Sequence, residues 1–207
     1  MRVFLGKEAE KFLHGLPIAK SFLIKNDKEL SKIKKFPVVM KIISPQAVHK
    51  TDIGGIKVAN NIVYAQDTFN NFTKIAKSKK MKLTGVLVQE YVKGREFIIG
   101  IKNDPTFGHV IMFGAGGIFV ESLKDVTFRV CPINESDAES MMADLKNQWL
   151  ITGTRGEKPI KIKNLKQILI KASNIPQKHK KLQELDINPL IANEKNIKIV
   201  DARAVEY

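Results

Sequence analysis

Apolar residues recur along this chain with two different periods. Alternating or continuous runs rich in β-branched residues, at 19–24, 37–43, 87–91, 96–101, 109–113, 126–130, 184–191 and 197–202, predict strands. Spacings of three and four predict helices. Residues 7–14 place Ala9, Phe12 and Leu13 on one face before Gly15 and Pro17 stop the turn, and 136–145 and 165–172 are further helical stretches. Asn26-Asp27 caps a short helix to 34, and Asp67 caps a longer one towards 80. Residues 56–59 and 62–64, joined at Asn60-Asn61, read as a hairpin, and 44–55 as a polar loop. Strands and helices intermix without strict βαβ alternation, so the expected class is α+β, with two mixed lobes. The smaller covers about 17–91, the larger about 92–207 together with the N-terminal helix, and the chain crosses near 90–94.

Totals narrow the setting. A chain of 207 residues can form one core or two lobes, and contains no apolar run near the roughly 20 residues that a membrane span needs. Charge follows Met1 too quickly for a signal peptide, and the single Cys131 forbids an internal disulfide, so the expected location is the cytoplasm. The net charge of +14, concentrated at 25–35, 74–82 and 158–181, is either the solvated surface of a lysine-biased composition or a field that attracts polyanions. Zinc-finger spacing, stacking aromatics and heptad-backed basic helices are all missing, which turns the expectation from nucleic acid to anionic small molecules and an acidic partner.

Several stretches carry chemistry. In Phe113-Gly114-Ala115-Gly116-Gly117-Ile118-Phe119-Val120-Glu121 a β-type run opens into glycines and ends on a carboxylate, a pattern suited to close approach of phosphate, and Arg129 returns positive charge afterwards. Lys41 sits inside an otherwise apolar strand, where an ammonium is costly unless it meets an anion or snorkels to an edge. Asp186 and Asn188 alternate onto one strand face, and Asp201 follows on the next strand. Two carboxylates and an amide oxygen are enough for Mg²⁺ once phosphate oxygens join them. His49, flanked by Lys50, Thr51 and Asp52 and followed by Gly54-Gly55, lies on a polar loop as either a solvated imidazole or a phosphoryl acceptor. Gln89, Glu90, Tyr91 and Val92 close an apolar strand whose backbone could read an adenine edge. Together they read as nucleotide-dependent phosphoryl transfer.

The ordered series Pro37-Val38-Val39-Met40-Lys41, Ser44-Pro45, His49-Lys50-Thr51-Asp52, Gly54-Gly55, Gly94-Arg95-Glu96, Asp104-Pro105, residues 113–129, Thr152-Gly153-Thr154-Arg155-Gly156-Glu157-Lys158-Pro159, 186–190 and Asp201-Ala202-Arg203 resembles the ATP-grasp β subunits of ADP-forming acyl-CoA (acetyl-CoA) synthetases, relatives of succinyl-CoA synthetase, nearly end to end. The resemblance implies an ATP-grasp fold with nucleotide in the cleft between two lobes, and the reaction acid + ATP + CoA ⇌ acyl-CoA + ADP + phosphate. It further implies Mg²⁺ held by Asp186, Asn188 and Asp201, and nucleotide bound by Lys41, Gln89, Glu90, Tyr91, Val92, Gly54 and Gly55. His49 would be the phosphohistidine relay, and Gly114, Gly116, Gly117, Glu121 and Arg129 a phosphate or subunit contact. With its first helix expected close to the start, the sequence as read departs from the resemblance in the leading segment common in such subunits. A CoA-binding Rossmann-type domain is missing from the sequence, so the resemblance implies a separate CoA-binding α subunit, in an α2β2 assembly, that brings carboxylic acid and CoA. Another ATP-grasp carboxylate ligase working without His49, and a regulatory nucleotide-binding subunit, remain alternatives.

If the positive charge serves small anions, DNA or RNA will bind weakly, and log affinity will fall steeply against log salt as counterions are released. Filter binding across a salt series checks this, and tight sequence-selective binding at physiological salt would refute it.

Overall fold

Two antiparallel sheets organise the chain. In the computed structural model, residues 1–46, 53–117 and 125–207 are described. The chain forms two units, one of Met1–Ile18 with Lys93–Tyr207 and one of Ala19–Val92.

The smaller unit holds β2 (Ser21–Ile24), β3 (Val38–Ile43), β4 (Ile56–Ala59) and β5 (Gly85–Glu90), in the order β2-β5-β3-β4. Alternation sends Val38, Met40, Ile42, Val86 and Val88 to one face. There they form a core with Ala65, Phe69, Phe72 and Ala76 of helix α1 (Ile62–Ser78), which recur at helical spacing. The expected hairpin at 56–64 does not form. Asn61 is a helix N-cap, its Oδ1 accepting the Tyr64 N–H at 3.0 Å, and Ile62, Val63 and Tyr64 are the exposed first turn of α1. Three consecutive apolar residues on an exposed turn imitate a strand. Asp67 therefore lies inside the helix instead of capping it. Asn26 does cap, but the element that follows, Asp27–Lys32, is a 3₁₀ helix.

In the larger unit β1 (Arg2–Leu5), β6 (Arg95–Asp104), β7 (Gly108–Ala115), β8 (Val126–Val130), β9 (Leu182–Ala192) and β11 (Ala202–Glu206) pair in the order β1-β11-β9-β6-β7-β8, with β10 (Ile197–Ile199) also on β9. The sequence pattern did not reveal β1, whose four residues gain their pairing from β11. The run at 197–202 divides into β10 and the start of β11, and residues 9–13 form a 3₁₀ helix in place of an α-helix. Phe97, Ile99, Ile101, Ile111, Phe113, Leu185 and Ile187 fill the inner face. Helices α2 (Glu135–Ala143) and α4 (Ile162–Ser173) pack against that face at β8 and β7. Two short helices, α3 (Trp149–Thr152) and α5 (Ile175–Lys178), flank α4. Phe97 and Phe113 stack with centroids 5.5 Å apart, so the central pair β6–β7 is joined by rings as well as by its ladder. The other face carries exposed side chains, among them Phe128 and Val130 of β8.

A buried carboxylate fixes the loop after α2. Asp125, 2% exposed, accepts the Lys146 N–H at 2.8 Å on Oδ1, and on Oδ2 the Asn147 N–H at 2.9 Å and the Asn147 Nδ2–H at 2.8 Å. Burial alone would raise its pKa, but these three donors outweigh burial and hold the carboxyl below the usual range. Its own carbonyl accepts the Ala115 N–H at 3.1 Å, tying the same residue to the end of β7.

Because the folded pKa is depressed, the stabilisation from Asp125 is present above the unfolded value of about 4 and is lost as pH falls through the folded value. Asp125→Ala strands buried N–H donors and should cost roughly 2–4 kcal/mol at pH 7. Urea unfolding of both proteins should show that difference shrinking at strongly acid pH.

Candidate functional site

Antiparallel pairing of β9 with β11 sets Asp186 opposite Arg203 and Ile187 opposite Ala202. The ladder extends one step further, where the Asn188 N–H donates to the Asp201 carbonyl at 3.2 Å. Asp186 and Asn188, two apart, share a face, as do Asp201 and Arg203. Three oxygen-bearing side chains and one guanidinium thus occupy four adjoining positions, with facing Cβ atoms ~5 Å apart. Pro189 lacks the N–H a regular ladder needs, and the register of β6 against β9 shifts opposite it, between Phe97 and Ile99. Such a bulge bends the strand beside the cluster and re-aims Asn188.

The cluster is electrostatically loaded. Burial pushes the Asp186 carboxyl above its ordinary range; Arg203 opposes the shift, while Asp201 and Glu184 reinforce it. Asp201 Oδ1 accepts the Ala202 N–H at 2.9 Å, which fixes its side chain at the strand entrance. Among the described residues no cluster of three or more His, Cys, Asp or Glu can hold a metal. The donor set therefore depends on the Asn188 amide oxygen. Two carboxylates and one amide, all hard oxygens, fit Mg²⁺ and leave positions for phosphate oxygens and water.

In the smaller unit, Lys41 faces Leu87 across β3–β5, on the face opposite the helix-packed core, and is only 6% exposed. Gln89 lies two residues along the same face and Ser21 sits directly across from it on β2. Gln89 Oε1 and Ser21 Oγ are buried without a hydrogen-bond partner among the described residues, so the face that carries Lys41 also presents an amide oxygen and a hydroxyl. Ser21 was not singled out from sequence, although a hydroxyl inside an apolar strand was a visible signal. Inner strand β5 commits its backbone to β2 and β3 as far as Glu90. Any reading of a base edge by backbone therefore falls to Tyr91 and Val92, beyond the ladder. The Glu90 carboxylate accepts the Lys20 N–H at 2.8 Å, so that group joins the two ends of the unit. Gly54 adopts φ +66° in the turn before β4, with no atom of the described residues within 4 Å of where a Cβ would point, and the Gly55 carbonyl accepts the Ile42 N–H at 2.8 Å. His49 lies outside the described residues, as does Glu121.

Close packing accounts for two of the glycines. A Cβ on Gly114 would stand 2.5 Å from the Asp125 carbonyl oxygen, and one on Gly116 2.7 Å from the backbone of Glu96 and Phe97. Gly117, at φ +64°, is covered by the Glu96 carboxylate. Arg129 binds Ser140 Oγ at 2.6 Å and Asp144 Oδ2 at 2.7 Å, so its guanidinium braces α2. Arg95 spends its fork on the Trp149 and Lys158 carbonyls, at 3.0 and 2.7 Å.

A family model described as an ATP-grasp domain matches residues 3–205. The chain is 45% identical to the 4-hydroxybutyrate–CoA ligase (ADP-forming) of Nitrosopumilus maritimus, over 96% of this chain and 30% of that protein. It therefore spans less than a third of that relative. Against subunit beta of acetate–CoA ligase (ADP-forming) I of Pyrococcus furiosus it is 40% identical, over 99% of this chain and 92% of that one. Among solved structures, the dinucleotide forming acetyl-coenzyme A synthetase 1 of Ca. Korarchaeum cryptofilum, in complex with coenzyme A and Ca-AMPCP, superposes with a TM-score of 0.93 at 41% identity, covering 100% of this chain and 94% of that one. The same enzyme with coenzyme A and Mg-AMPPCP, its phosphohistidine segment pointing towards the nucleotide binding site, gives 0.86 at 40%, covering 99% and 93%. With an ATP-grasp match over nearly its whole length and a β subunit matched over 92% of its own, the chain belongs to the ATP-grasp family and groups with the β subunits of ADP-forming acetate–CoA ligases.

Proposed function

We propose that this chain is the nucleotide half of an ADP-forming acid:CoA ligase, catalysing acid + ATP + CoA ⇌ acyl-CoA + ADP + phosphate together with a CoA-binding α subunit in an α2β2 assembly. The observation that carries this is the placement of Asp186, Asn188 and Asp201 on adjoining positions of one sheet face. Mg²⁺ bound there would neutralise charge on the nucleotide phosphates. Lys41 pairs its ammonium with a phosphate from a buried strand position, where the local dielectric is low enough to make the pairing strong. Gln89 and Ser21 supply polar atoms to the same ligand, and Tyr91 and Val92 supply backbone groups to the base.

His49 carries the relay. A neutral imidazole nitrogen attacks the terminal phosphorus, a P–N bond forms as the P–O bond to ADP breaks, and ADP leaves with the electron pair. The phosphoryl group then passes to the acid held by the partner. Positioning supplies most of the advantage, because holding the imidazole in line turns a bimolecular step into an intramolecular one.

With the partner, acid and CoA present, His49→Ala should keep Mg·ATP binding and lose CoA-dependent formation of ADP and phosphate; turnover at the wild-type rate would dismiss the relay. Lys41→Met should weaken Mg·ATP binding in calorimetry by about a hundredfold, since an ammonium–phosphate contact at 4 Å is worth about 4 kcal/mol at an effective dielectric near 20, before desolvation is subtracted. The site also bears on stability. A carboxyl whose folded pKa is raised costs stability increasingly as pH climbs from its unfolded to its folded value, and the whole cost persists above the latter. Asp186→Asn should accordingly raise the thermal midpoint of the metal-free chain at neutral pH while weakening its Mg·nucleotide binding. An unchanged or lower midpoint would contradict this.

A further inference from the structure

Arg203 occupies the fourth position of the cluster, and the oxygen set alone does not explain it. It faces Asp186 across β9–β11 and alternates with Asp201 on the same face. Its side chain is 48% exposed, and its one ion pair among the described residues, Nη1 to Glu184 Oε2, spans 4.0 Å, too long for a hydrogen bond. Glu184 itself faces Lys102 across β6–β9. Arg95 and Arg129, by contrast, close their forks on protein oxygens at 2.6–3.0 Å.

The surface beside Arg203 is open. On the neighbouring strand, Gly100 pairs with Asp186 and leaves the sheet floor without a side chain; the nearest atom a Cβ would meet there is Met112 Cε, at 3.2 Å. A cavity of about 650 Å³ opens over Gly100, Asp186 and Arg203, and every residue lining it belongs to the larger unit. A guanidinium not closed on a carboxylate among the described residues, next to metal-type oxygens and at the wall of a cavity, is arranged to give two parallel N–H bonds to a multiply charged oxyanion such as phosphate.

We propose that Arg203 is a catalytic residue of the phosphoryl transfer, binding the oxygens of the group in transit. This rests on reading Asp186, Asn188 and Asp201 as the nucleotide–metal site. As the bond from the terminal phosphorus to the ADP oxygen breaks and the bond to the accepting nucleophile forms, the guanidinium donates two N–H bonds to the phosphoryl oxygens and keeps its proton throughout. The residue therefore distinguishes a nucleotide that carries the terminal phosphate from one that does not.

Calorimetry on the chain alone, with Mg·ATP and Mg·ADP in parallel titrations, tests this. Arg203→Gln should weaken Mg·ATP about tenfold or more, the scale of one lost charge-assisted hydrogen bond, and leave Mg·ADP within about twofold. Arg203→Lys, keeping charge without the fork, should fall between Arg203→Gln and wild type for Mg·ATP only. The Arg203 side chain is half-exposed, and a thermal midpoint for each variant separates loss of fold from loss of binding. Equal losses for both nucleotides, or none for either, would overturn the role of Arg203 while leaving the nucleotide reading intact. Failure of the wild-type chain to bind either nucleotide would remove both together.

Discussion

The register of β9 against β11 decides what the open face of the large sheet can do. Side chains alternate across a strand, so a slip of one residue would drive Asp186, Asn188 and Asp201 into the layer now filled by Leu185, Ile187, Ala202 and Ala204. That layer holds the register from below. Leu185, Ile187 and Ala204 are at most 1% exposed, and burying each large aliphatic side chain contributes ~1.5–3 kcal/mol. The polar cluster inherits its geometry from apolar packing on the reverse side. Pro189 adds a local correction, because the bulge it forces changes the aim of Asn188 without disturbing the strand pairs beyond it.

Much of this was legible in the chain. Alternation marked the central strands, and the pairing of Asp186 with Asn188 on one face needs nothing beyond the period of a strand. The approach of Asp201 to Asn188 was not legible, because it depends on register between strands. Tertiary partners were equally hidden. Arg95 reaches carbonyls 54 and 63 residues away, and Asp125 receives donors 21 and 22 residues ahead of it, distances at which no local pattern operates.

The glycine run shows a subtler limit. Its composition announces that the backbone must come close to something, and Gly114 and Gly116 do come close, to the backbone of Asp125 and of Glu96 and Phe97. Composition names the need for space but leaves open whether a ligand or a neighbouring strand fills it. The first turn of α1 went unread for a related reason: Ile62, Val63 and Tyr64 are apolar without being buried, so a signal that normally reports burial reported nothing.

The pairing of Lys20 with Glu90 has a consequence for how the chain is assembled. Residues 19–92 leave and rejoin the larger unit at positions that two bonds hold together: the Lys20 N–H to the Glu90 carboxylate at 2.8 Å and the Glu90 N–H to the Lys20 carbonyl at 2.9 Å. Closing a flexible loop of roughly 70 residues costs on the order of 4 kcal/mol in chain entropy. The smaller unit meets that cost through its own core and presents the larger one with two ends already side by side. In this respect it is a cassette, and the clasp at its base is where a transplant into another scaffold would be cut.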